Sequence, residues 1–121
     1  MNARAANAYR RVDLSSAPKH DIVGRLFERF LADVATARKA IANKDIATKA
    51  SAIDHALRIV AELEASLDHA AAPEVSANLQ ALYRYVADRL CVANAKLESP
   101  PLDDATRVMT DLGHAFRGAP R

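Results

Sequence analysis

The chain has 121 residues, 50% of them hydrophobic, with only 3 Gly and 5 Pro, a length that buries roughly two-thirds of the unfolded surface and suffices for one core. Its 17 basic and 15 acidic residues are interleaved, for a net charge of +2, which argues against nucleic acid because phosphate binding gathers Lys and Arg on one face. A single cysteine, Cys91, excludes an internal disulfide and a thiolate metal cluster.

Residues 1–16 are polar and basic, with Tyr9, Val12 and Leu14 as their apolar groups, and a loosely ordered N-terminal arm is expected. The opening stretch MNARAANAYRR lacks the apolar run of a secretory signal, and nothing approaches the about 18 apolar residues of a membrane span. The expectation is a soluble, cytoplasmic protein without membrane insertion. Ser15, Ser16 and Pro18 then punctuate a helix start, since Ser can accept from orphan amides and Pro in the first turn gives up no hydrogen bond. Ile22, Leu26, Phe30, Ala37 and Ile41 recur at helical spacing, joined by Val23, Phe27, Leu31 and Val34. Gly24 weakens this helix by up to about 1 kcal/mol against Ala, which a close packing contact would explain.

The short polar break Asn43-Lys44-Asp45 makes Asp45 an expected N-cap. It also forces the second helix, running to about Asp68, to lie antiparallel beside the first. Ile46, Ala50, Ile53, Leu57, Val60, Leu63 and Leu67 form its stripe. Pro73 suits the first turn of a third helix, in which Leu79, Leu82, Val86, Leu90, Ala93 and Leu97 follow at spacings of three and four. Apolar and amphipathic groups on more than one side predict that this helix is the most enclosed of the bundle. Tyr83 and Tyr85 point to different sides, so at least one should reach the surface. Pro100 and Pro101 interrupt the chain. Ser99 is the expected cap of a fourth helix that presents Leu102, Ala105, Met109, Leu112 and Phe116 on one face. The pattern predicts an all-α fold, an antiparallel four-helix bundle over residues 17–118.

Chemistry has no visible carrier. His20, His55, His69 and His114 are scattered without metal-helix spacing, so no metal and no cofactor are expected. Cys91 sits between Leu90 and Val92, where a buried, inert thiol is the usual outcome. No nucleophile elbow or glycine-rich phosphate loop is present, and an enzyme is not expected. A histidine phosphotransfer bundle is one alternative, but His20 and His55 match its signature poorly. A helical adaptor for another client is a second.

The ordered set Leu63-x-x-Ser66-Leu67-Asp68, Asn78-Leu79-x-x-Leu82-Tyr83-x-Tyr85 and Arg89-Leu90-x-x-Ala93-Asn94, with Ala8-Tyr9, Leu26-Phe27 and a closing Ala115-Phe116, resembles the flagellar secretion chaperone family FliS over nearly the whole chain. It departs at Ala72-Pro73, where the family often has Gly-Gly, and at Phe116, where it often has Trp. The resemblance implies a non-enzymatic export chaperone that binds the C-terminal segment of flagellin in the cytosol. It would prevent premature polymerisation and deliver the flagellin to the flagellar export gate. By motif position it implies contact residues Tyr9 and Tyr83, with Leu82, Tyr85, Met109 and Phe116 as further groove candidates and Tyr9 as a self-docking residue that the client displaces.

Overall fold

The computed structural model describes residues 17–118, with side chains from residue 21 onward. Four helices follow one another: α1 (Ala17–Ala42), α2 (Ile46–Ala65), α3 (Pro73–Lys96) and α4 (Pro100–Arg117). No strand occurs among the described residues. The all-α reading holds, and the architecture is the antiparallel bundle that short connections dictate. Cross-links between opposite helix ends show the antiparallel sense: Arg38 late in α1 pairs with Asp103 early in α4, and Arg117 at the end of α4 pairs with Glu28 near the start of α1.

The helices form a ring. α1 packs on α2 and α4, and α3 packs on the same two. The expectation that α3 would be the most enclosed helix is therefore corrected, because it has two neighbours as the others do and one face left to solvent. Its buried stripe is Ser76, Leu79, Tyr83, Val86, Leu90 and Ala93. Leu82, assigned to the stripe by spacing, is exposed because the helix is rotated to place the larger Tyr83 ring inside, and Leu97, assigned with it, is exposed as the left-handed cap that follows the helix. On α1 the buried line is Val23, Phe27, Phe30, Val34 and Ala37, and Ile22 is exposed. Phe27 meets Phe116 of α4 with ring centroids 5.8 Å apart and planes tilted by 34°, a contact worth about 0.5–1.5 kcal/mol beyond its buried area.

Glycine marks a close approach, though not at the expected position. A Cβ at Gly24 would meet nothing within 4 Å, whereas one at Gly113 would lie 3.4 Å from Phe27 Cβ. α4 thus comes close to α1 at Gly113.

The two ends of the ring are built differently. At one end α1 closes with Lys44 in the left-handed region (φ 58). Asp45 N–H donates to Ala40 O at 2.9 Å and Lys44 N–H to Ile41 O at 3.1 Å, the paired bonds of a Schellman motif. Asp45 then caps α2 as the sequence predicts, its Oδ1 accepting from Thr48 N–H at 3.1 Å. Across from it α3 ends at Leu97, also left-handed (φ 55). Ser99 does not cap α4 through its side chain: its backbone is already helical, and it is the carbonyl that accepts, from Leu102 N–H at 2.8 Å. At the other end α2 stops at Ala65, short of Asp68. Asp68 Oδ1 instead accepts from the N–H groups of Ala70 and Ala71, and its carbonyl accepts from the Ser76 hydroxyl.

Candidate partner-binding site

The six residues singled out by the sequence separate into three groups. Tyr9 lies outside the described residues. Tyr83, Met109 and Phe116 are core, with Tyr83 0% exposed. Leu82 and Tyr85 stand on the outer face of α3, 37% and 43% exposed, three positions apart and so on one side of the helix. Arg89 lies over the Tyr85 ring at 5.9 Å from its centroid, a cation–π contact, and reaches toward Asp104 of α4 at 3.8 Å. This strip runs along α3 on the side of α4. The structure therefore brings Leu82 and Tyr85 together at the surface and does not join them to Met109 or Phe116.

A second apolar surface went unrecognised in the sequence. Ala40, Ile41, Lys44, Ile46, Lys49 and Leu97 line a pocket of about 350 Å³ at the left-handed end of the bundle. Spacing makes Ile46 the first member of the α2 stripe and Leu97 the last of the α3 stripe, but each lies at a helix terminus and each is exposed. Lys49 is only 6% exposed. Its Nζ donates to Asn94 Oδ1 at 2.7 Å and to Asn94 O at 3.2 Å, so α2 supplies a cation to the negative end of α3. The signal was there: Lys49 lies next to Ala50 and one turn from Ile46 and Ile53, on the apolar side of its helix.

The remaining polar groups are dispersed. His55 is half-buried, its Nδ1 bonded to Asp33 Oδ2 across the α1–α2 interface. Cys91, expected to be buried, is exposed, because the rotation that brings Leu90 and Ala93 inward turns position 91 outward. Among the described residues no group of three or more His, Cys, Asp or Glu could hold a metal ion, and no helix is long and apolar enough to cross a membrane. The carboxyl of Asp45 is held below its ordinary value by hydrogen bonds from the Thr48 hydroxyl and the Thr48 N–H.

Fold and surface together define the class, a small antiparallel helical bundle that carries exposed apolar side chains on one helix face and at one end. Residues 1–121 match the family model described as flagellar protein FliS, and the chain belongs to the FliS family. It is 26% identical over 120 residues to the flagellar secretion chaperone FliS of Salmonella typhimurium, covering 95% of this chain and 89% of that one. Over 119 residues it is 28% identical to the flagellar secretion chaperone FliSB of Pseudomonas aeruginosa, with 95% and 94% covered. With FliS of Vibrio cholerae it shares 26% identity over 117 residues, covering 93% and 86%.

Proposed function

We propose that this protein is a cytosolic chaperone that binds the C-terminal segment of flagellin, keeps it from polymerising and hands it to the flagellar export gate. The observation that carries the reading is the family match along residues 1–121. The exposed pair Leu82 and Tyr85 on α3 gives the client an apolar place to dock. A disordered segment that folds as it binds can cover such surfaces with helices laid against grooves, losing part of the gross energy to ordering. Tyr83, Met109 and Phe116 act from within the core that fixes the helices, and Tyr9 acts from the N-terminal arm.

Calorimetric titration with flagellin from the same organism, beside flagellin truncated of its C-terminal segment, tests this. Tight binding to the first and none to the second is expected. Tyr85→Asp should abolish binding while leaving the circular dichroism spectrum and melt unchanged, since exposed substitutions typically change stability within about 0.5 kcal/mol. Equal binding of both flagellins would remove the client assignment.

A further inference from the structure

We infer that the pocket at the left-handed end of the bundle is a second client anchor, which receives a carboxylate and a neighbouring aliphatic side chain from the flagellin segment. The inference rests on the flagellin reading and extends it to a surface at the bundle end. Its first support is charge. Lys44 and Lys49 both line the pocket, no acidic side chain does, and neither lysine forms an ion pair among the described residues. The nearly buried Lys49 is held by the neutral oxygens of Asn94; an ammonium has three donors, so one remains for a ligand. Burying a cation with neutral partners alone is costly, and a carboxylate brought to it makes a charge-assisted bond.

The second support is spacing. Ile46 and Lys49 are three positions apart on α2, so this wall offers an aliphatic group and a cation one helical turn apart. Lys44, beyond the end of α1 and left-handed, adds a second cation to the lining. A client helix with an aliphatic residue and an Asp or Glu three or four positions apart matches the α2 wall. The third is strain. The two non-glycine residues of positive φ among those described, Lys44 and Leu97, both line this pocket, and backbone strain of this kind gathers at ligand clamps.

The test uses the full chain and the same flagellin, with Lys49→Gln, which keeps a donor for Asn94, and Ile46→Ser at an exposed position. Each variant is expected to bind flagellin roughly tenfold more weakly or worse, with an unchanged melt for the exposed Ile46→Ser and an unchanged circular dichroism spectrum at room temperature for Lys49→Gln. For Lys49→Gln the affinity should also depend less on salt than wild type. Flagellin whose C-terminal Asp and Glu residues are changed to Asn and Gln should bind wild type as weakly as unmodified flagellin binds Lys49→Gln, with no further loss when the two are combined. Wild-type affinity in both variants, with the Tyr85→Asp defect intact, overturns the second anchor and leaves the chaperone reading standing. Failure of wild type to bind flagellin at all overturns both.

Discussion

The two ends of the bundle solve the same problem, turning the chain between antiparallel helices, in different ways. Where α2 meets α3, Asp68 and Ser76 satisfy the turn with side-chain bonds, Leu67 is buried, and no residue has positive φ. Where α1 meets α2 and α3 meets α4, two non-glycine residues are left-handed, Ile46 and Leu97 are exposed, and Lys49 is buried between them. Both ends use side-chain caps, Asp68 and Ser76 at the first and Asp45 at the second. The second differs in keeping non-glycine residues at its left-handed positions and an apolar concavity lined by two lysines.

The largest effect that would break this contrast concerns burial. Leu67→Ala, at the closed end, should destabilise the bundle by about 2–5 kcal/mol through lost transfer energy and a residual cavity. Ile46→Ser, at the open end, should stay within about 0.5 kcal/mol. Urea unfolding of both variants measures the difference. Comparable losses would mean that the open end is packed as a core and that its exposure is not functional.

The bundle itself was legible because it rests on the 3.6-residue period, which places whole faces. The three-residue break at Asn43-Lys44-Asp45, the Asp45 cap and the Pro73 start all follow from local chemistry. Rotation about the α3 axis was not legible. Leu79, Val86, Leu90 and Ala93 fit a stripe completed by either Leu82 or Tyr83, and only the volume of the opposing core chooses the ring. That choice decided the candidate site, since it buried Tyr83 and left Leu82 and Tyr85 outside. The same rotation exposed Cys91. The end pocket escaped notice because it is assembled from α1, α2 and α3, and a period in one helix says nothing about where another helix stops.

A smaller effect sharpens the comparison by separating stability from binding. Leu97→Gly removes a side chain from a left-handed position that glycine occupies without steric cost, and Lys44→Gly does the same at the end of α1. Each is expected to stabilise the protein by roughly 0.5–1 kcal/mol, read as a higher unfolding midpoint. Because both residues line the pocket, flagellin affinity should fall as stability rises. A gain in both would show that the strain serves nothing at this end.

The smallest effect is a local one and depends on pH. Asp45 has its carboxyl held below the ordinary value of 3.8 by the Thr48 hydroxyl and N–H. A carboxyl depressed in the folded state contributes stability that is fully present above its unfolded value and is lost as pH falls through the folded one. Below that range the protonated group is a poorer acceptor, the first turn of α2 loosens, and Ile46 and Lys49, which form one wall of the pocket, loosen with it. Asp45→Asn keeps a capping oxygen that does not titrate in this range. Amide hydrogen exchange should therefore show protection in the first turn of α2 falling as the pH drops below the ordinary carboxyl value of 3.8 in wild type and staying flat in Asp45→Asn, with the amides of Ile59 and Val60 in the buried middle of α2 used as the reference in both. If wild type and variant lose protection in parallel, acid acts on the bundle as a whole and Asp45 is not what holds the pocket wall in place.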